Sequence, residues 1–328
     1  MEMVSKKEIK RIKEFCGSWV RGDFSLKRLG GQTNTNWLLE FPSGKFFVRL
    51  PWEREDVVNR KVEGKNILAI TRNRVLRKIT PRFFLYVLNK RNILNPKDHK
   101  RYDAPNGTMV AEYIDGEEFT FSHFRKPLYQ KKLARMFCVF HKSNVQFVNS
   151  YNVFRDEIQK YRVAAKKHDI SKLADSKTVA FFERVEREAE QALPSLQEGI
   201  STHNDFIFQN FLVDKKGKLY LLDFEYAGFN KKGGISYDYG FLFADNLFRK
   251  PAMTKDLFET FLRVASTVYK KKLDRRQIYW AALAALLVQF WWGMVRYFGV
   301  ASLEEKKYFK EYVQKRMRGA SKLVRFLE

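Results

Sequence analysis

The stretch STHNDFIFQNFLVD, residues 201–214, gathers His203, Asn204, Asp205 and Asn210, with the apolar residues Phe206, Ile207 and Phe208 between the acid and the last carboxamide. Beyond the turn Lys216-Gly217, the run LYLLDF ends an apolar strand on Asp223, and Glu225 follows. A hairpin joining FLVD to LYLLDF is expected to bring Asp205, Asn210 and Asp223 to one end of a rigid element. Carboxylate and amide oxygens so grouped suit a hard cation such as magnesium, which also takes phosphate oxygens. One acid is left to accept a proton from an attacking hydroxyl. Together these are the parts of a phosphoryl-transfer site.

Such a site needs elements that hold it. Ile9, Ile12 and Phe15 recur at near-helical spacing and predict a helix over residues 5–20. SLKRL, the turn Gly30-Gly31, NWLLEF, the turn Pro42-Ser43-Gly44 and KFFVRL then read as an antiparallel meander. A helix over residues 56–71 and strands over 83–88 and 108–114 follow, the strands separated by a polar surface loop rich in Pro and Gly. After the turn Asp115-Gly116 nearly everything is helical in pattern, except FLVD and KLYLLDF. The expected fold is α+β and two-lobed, with a small antiparallel-sheet N-lobe, residues 1–115, and a larger helical C-lobe, residues 116–328.

Composition narrows the class. With 328 residues, 45% of them hydrophobic and 16% aromatic, the chain can bury a large core. Cys16 and Cys138 form no CxxC pair, which argues against a disulfide framework or a zinc site and fits a reducing cytoplasm. The charged start MEMVSKKEIKRIKEF has no apolar signal core. The longest apolar run, Trp280 to Val295, contains Gln289, stops before Arg296 and is shorter than the roughly 20 residues of a membrane span, so it reads as a buried helix. The net charge of +25 is spread over the whole chain, as a lysine-rich composition alone would spread it. It also steers nucleotide phosphates. No obligate nucleic-acid partner follows from it; the basic segment KKYFKEYVQKRMRGASKLVRF leaves room for weak binding to anionic surfaces.

HNDFIFQN followed by LLDFEYAG resembles the catalytic and metal motifs of choline and ethanolamine kinases. These belong to the aminoglycoside-phosphotransferase-like kinases, similar in fold to protein kinases. The resemblance covers roughly residues 25–300 and is most specific over 201–246. It implies ATP and Mg2+ as cofactors, Asp205 as catalytic base, and Asn210 and Asp223 as metal ligands. HND in place of HRD, and DFE in place of DFG, point to a small-molecule acceptor. His203 is expected to brace the loop. LGGQTNTNWLLEF resembles the phosphate-covering turn, with Gly30 and Gly31 allowing close backbone approach. Arg49 in KFFVRL matches a basic residue that reaches the phosphates, with Glu63 as the partner that orients it. VAEYIDGEE resembles the linker whose backbone around Glu112 to Ile114 meets adenine. His141 matches a Leu-His pattern, and helix packing accounts for it equally well.

The acceptor side is implied by SYDYGFLFADN, with Asp238, and by QFWWGMVRYFG, which resembles a Trp-rich helix whose aromatic faces surround a quaternary ammonium. Trp292-Gly293 fits, whereas the second Trp expected three positions on is Val295; Trp291 or Tyr297 would have to substitute. Asp238, Asp245 and Glu225 are the candidate acids for a cationic substrate. Choline is the foremost acceptor expected, with ethanolamine beside it. Alternatives are another small alcohol (an aminoglycoside, thiamine or a sugar) or an inactive kinase-like fold that binds polyanions through its basic surface.

Overall fold

The computed structural model describes residues 10, 12, 24–30, 34–42, 44–51, 59–249 and 251–327. The helix expected over 5–20 lies outside these residues except for Lys10 and Ile12, which are helical. Gly31 and the start of the helix expected from residue 56 also lie outside them.

The predicted meander forms as β1 (Ser25–Gly30), β2 (Asn34–Phe41) and β3 (Gly44–Pro51), each antiparallel to the next. Helix α1 (Arg60–Arg72) follows, its first turn capped by the Asn59 side chain accepting from the Val62 N–H. Such a cap is worth about 1 kcal/mol. Next come β4 (Phe83–Leu88), β5 (Arg91–Asn92) and β6 (Met109–Glu112), which complete a six-stranded sheet in the order β1-β2-β3-β6-β4-β5. Alternation along the strands gives the sheet two faces. Trp37, Leu39, Val48, Leu85, Val87 and Val110 enter one cluster with Ile12, while Tyr86 and Met109 pack with Ile67 of α1 on the other. The loop after β5 contributes Tyr102 to the first cluster.

Two compact units are present. The first comprises residues 1–117, 145–148 and 212–226; the second comprises 118–144, 149–211 and 227–328. Strand β7 (Gly116–Glu118) pairs with β10 (Phe211–Asp214), which also pairs with β11 (Leu219–Leu221). Gly116 is required there, since a Cβ would lie 2.1 Å from the Val213 carbonyl oxygen.

The second unit is mostly helical: α2 (Phe121–Phe124), α3 (Pro127–His141), α4 (Gln159–Ala165), α5 (Ser176–Ala192), α6 (Ile235–Asn246), α7 (Lys255–Tyr269), α8 (Arg275–Gly299) and α9 (Leu303–Val324). It also contains a three-stranded sheet absent from the sequence reading, in the order β8 (Ser150–Tyr151), β12 (Gly228–Lys232), β9 (Ser195–Thr202). The helix predicted from the Trp280–Val295 run is α8. At 25 residues it has the length and composition of a membrane span, longer than the apolar run alone suggested, but most of it is buried as the central helix of this unit. It packs against α4, α5, α6 and α9. Gly240 of α6 makes one of these contacts backbone-close, its absent Cβ lying 2.5 Å from the Ala282 nitrogen.

Candidate active site

In the first unit, β3, α1, β4 and the segment after β11 converge on a buried charge cluster. Arg49 is 5% exposed and sends NH2 to Glu63 Oε1 at 2.6 Å and to the Gly107 carbonyl at 3.3 Å. Glu63 is fully buried, and its Oε2 accepts from Arg60 NH1 at 2.9 Å and from the Tyr86 hydroxyl at 2.8 Å. Arg60 is anchored by donating NH2 to Asn34 Oδ1 at 2.7 Å. Burial alone would raise the Glu63 pKa, but Arg49 and then Arg60 outweigh it and hold the carboxyl below its usual range. Arg49 gains in turn: burial opposes its charge, and Glu63 more than restores it.

Oxygens of Glu63, Asp223 and Glu225 lie within 4.8 Å of one another. Asp223 stands at φ 56°, in the left-handed region. Asp223 Oδ1 and Glu225 Oε2 are buried without a hydrogen-bond partner among the described residues, although Arg60 NH1 is 3.9 Å from the latter. Burial, then the charge of Glu63, raises the pKa of Asp223; burial, then Asp223, raises Glu225 further. Three carboxylates crowded against only two guanidinium groups leave uncompensated negative charge, and a hard divalent cation supplies positive charge through oxygen ligands. The donor set therefore fits magnesium. Sequence reasoning placed Glu225 on the acceptor side; the fold sets it beside Asp223 and Glu63. It missed Arg60 and Tyr86, which carry no motif and become visible only when α1 meets β4.

The second unit holds the other chemical groups. Strand β9 ends at Thr202, and the chain turns through Asn204 at φ 65°. Asn204 Oδ1 accepts from Thr202 Oγ1 at 2.8 Å and from Asn230 Nδ2 at 3.0 Å, which ties the turn to β12. Asp205 follows, partly exposed. Asn210 closes the loop by donating Nδ2 to the Asp205 carbonyl at 2.8 Å and to Asp205 Oδ2 at 2.9 Å. These bonds fix the carboxylate's direction.

Asp238 of α6 braces this loop from behind. Its Oδ2 accepts from the His203 N–H at 3.0 Å and its Oδ1 from the Asn204 N–H at 2.7 Å. His141 Nε2 meets Oδ2 at 2.7 Å, while His141 Nδ1 bonds the Tyr269 hydroxyl. Asp238 is fully buried, so the acceptor role expected for it is replaced by that of a clamp on the loop backbone. His141 belongs to the same clamp. The His203 ring stacks on Phe206, centroids 4.7 Å apart, as the expected loop brace.

The remaining expected residues separate. Glu112 in β6 gives its N–H to the Arg82 carbonyl at 2.7 Å and accepts from the Arg82 N–H at Oε2, 3.1 Å away. Ile114 is buried, and Gly30 ends β1. Trp291 is fully buried against Phe290, which makes it a core residue and unavailable to an acceptor. Trp292 and Tyr297 keep part of their surface; Trp292 meets Phe309 and Tyr312 edge-on at 5.7 and 5.5 Å, and Tyr297 meets Phe298 at 5.1 Å.

Comparison with known proteins gives the family and the fold. A probable ethanolamine kinase of Arabidopsis thaliana is 29% identical over 138 residues, 38% of this chain and 35% of that protein, so the match spans about a third of that relative's length. The crystal structure of the choline kinase LicA from Streptococcus pneumoniae is similar with a TM-score of 0.70 at 20% identity, covering 97% of this chain and 100% of that one. LicA has also been solved in complex with AMP, with a TM-score of 0.69 at 21% identity over 96% of this chain and 98% of that one. An ethanolamine kinase of Plasmodium vivax gives a TM-score of 0.70 at 16% identity, covering 96% and 89% of the two chains. Residues 29–318 match the family described as choline/ethanolamine kinase, and the chain belongs to that family.

Proposed function

We propose that this protein transfers the terminal phosphoryl group of ATP, with magnesium, to the hydroxyl of a small amino alcohol, choline or ethanolamine. Family membership supports a small-alcohol phosphotransferase. The observation that carries the chemistry is the trio Glu63, Asp223 and Glu225, with one oxygen each of Asp223 and Glu225 buried and without a hydrogen-bond partner among the described residues. Magnesium, when bound, offsets charge on the phosphate oxygens and holds them for in-line transfer. Asp223 and Glu225 would offer it oxygens; Asn210 enters as a carboxamide ligand on the resemblance of HNDFIFQN alone. Glu63 is already neutralised by two guanidinium groups and serves to hold Arg49.

Arg49 has a buried Nε–H without a hydrogen-bond partner among the described residues and steadies the nucleotide phosphates. Gly30, Gly31, Glu112 and Ile114 contribute the nucleotide-binding backbone of residues 1–115, and residues 116–328 supply the base and acceptor contacts. Asp205, oriented by Asn210, takes the proton of the acceptor hydroxyl as the oxygen attacks phosphorus. Trp292 and Tyr297 remain acceptor-side residues in this reading.

The test is ADP release with ATP and magnesium, with choline, ethanolamine, thiamine or kanamycin supplied separately and Asp205→Asn run alongside. Turnover with choline or ethanolamine that the substitution lowers by at least about 100-fold, the scale of a lost general base, supports the assignment. Turnover confined to thiamine or kanamycin refutes the amino-alcohol acceptor. Undiminished turnover by Asp205→Asn refutes the base.

A further inference from the structure

A quaternary ammonium has no N–H to donate, so a protein recognises it chiefly through aromatic faces. A primary ammonium has three donors and is satisfied by oxygen acceptors. Which of the two this protein accepts therefore depends on whether an aromatic face near Asp205 is open.

Tyr237 stands on α6 next to Asp238, which braces the Asp205 loop, and Tyr312 stands on α9 one turn before Arg316. Tyr237 is fully buried, its hydroxyl 3.2 Å from that of Tyr151. Tyr312 of α9 keeps part of its surface. A continuous set of contacts ties it to the loop of Asp205: Gln209 of that loop bonds Arg249, Arg249 pairs with Asp245 at 2.7 Å, and Asp245 lies 3.8 Å from Arg316.

The Arg316 guanidinium carbon stands 3.4 Å from the centroid of the Tyr312 ring and 4.8 Å from that of Phe248. Arg316 is 6% exposed, and its Nε donates to Gln289 Oε1 at 3.0 Å. Gly319, one turn on, lets the Phe248 ring approach, since a Cβ there would lie 2.1 Å from it. The guanidinium is thus built in, with stacking, a hydrogen bond and an acid all holding it. Arg296 likewise lies over Trp292 and Phe309, at 5.9 and 5.3 Å.

We propose that Arg316 is a specificity-determining residue: its guanidinium occupies the Tyr312 face that a quaternary ammonium would need, and the acceptor selected is a primary amino alcohol in preference to a trimethylated one. Two cations cannot share one ring face without repulsion and desolvation. The proposal rests on the kinase reading for its catalytic consequence, while occupancy of the ring face is independent of turnover.

The experiment compares the full-length protein with Arg316→Ala and Arg316→Lys. ADP release gives kcat/KM for ethanolamine and for choline, and Trp fluorescence titrated with tetramethylammonium reports face occupancy without catalysis. The expected result is that wild type favours ethanolamine and binds tetramethylammonium weakly. Arg316→Ala should move the ratio toward choline by about 10-fold, the scale of one or two cation–π contacts, and tighten tetramethylammonium binding. A wild-type preference for choline, or an unchanged ratio and titration in folded Arg316→Ala, overturns the proposal. If the alanine protein does not fold, Arg316→Lys is read instead, because an ammonium cannot cover the ring as a planar guanidinium does. Absence of ADP release with every acceptor would refute the kinase reading, and the tetramethylammonium titration would still decide the role of Arg316.

Discussion

Glu157 offers a stability prediction whose sign and size follow from its surroundings. It lies on the π-helical turn Val153–Ile158 and is 7% exposed. Burial pushes its carboxyl up to about 7 from 4.5; Lys160 and the hydrogen bond from Tyr161 pull it down, and Asp156 adds to the rise. Between those two values the folded protein holds a proton that the unfolded chain has released. Folding stability from this group is therefore greatest below pH 4.5, falls as pH rises toward about 7, and is level above. A rise of that size corresponds to about 3 kcal/mol at 1.36 kcal/mol per pH unit. Glu157→Gln keeps the volume and an oxygen for Tyr161 but removes the titration. In urea unfolding at fixed pH, the variant should exceed wild type by up to about 3 kcal/mol at pH 8, with the difference shrinking steadily toward pH 4.5. A difference independent of pH, or one that grows on acidification, would refute the reasoning.

Asp223→Asn should abolish ADP release at saturating magnesium while leaving the thermal midpoint at pH 8 unchanged or higher. It removes a buried carboxylate, and asparagine tolerates the φ of 56°. A variant with lower stability and retained turnover would count against the metal role. Asp238→Asn replaces one acceptor oxygen with an N–H donor facing the His203 or Asn204 amide, so kcat should fall at least tenfold with the KM for ATP little changed. Steady-state kinetics with both substrates varied would check this. Gly240→Ala drives a Cβ to 2.5 Å from the Ala282 nitrogen and should cost about 1–3 kcal/mol in chemical denaturation, as overpacking does.

The local patterns in the sequence carried far. Alternation and paired turn residues made β1, β2 and β3 readable, and the Trp280–Val295 run marked the central helix. Strands β9 and β12 were not readable, because SLQEGIST and GFNKK are polar and irregular alone and become strands only by pairing, with Thr202 opposite Gly228. The same limit applies to the charges. Arg49 and Glu63 were paired through a resemblance, but nothing near Arg60 in sequence signals that it shares Glu63 or approaches Glu225. Asp238 reads as an acceptor acid only through the resemblance of SYDYGFLFADN to the acceptor-side segment of choline kinases. Its actual partners are His141 and two backbone amides 34 and 35 positions away, which no periodicity reports. The Trp291–Trp292 pair illustrates a geometric point: neighbours on a helix face different directions, so one joins the core while the other meets α9.

The first unit takes in residues 212–226, long after its sheet has ended in sequence. Synthesis proceeds from the N-terminus, so Arg49, Arg60 and Glu63 leave the ribosome well before Asp223 and Glu225. At about 5–20 residues per second, the interval between Glu63 and residue 226 is roughly 10–30 s. Throughout it the nascent unit carries two guanidinium groups against one carboxylate, and β7 waits for its partner strand β10. Its folding is therefore completed by a late stretch of the message, and a slow or interrupted passage between codons 117 and 226 would leave an electropositive cluster and an unpaired β7 open to chaperones and proteases.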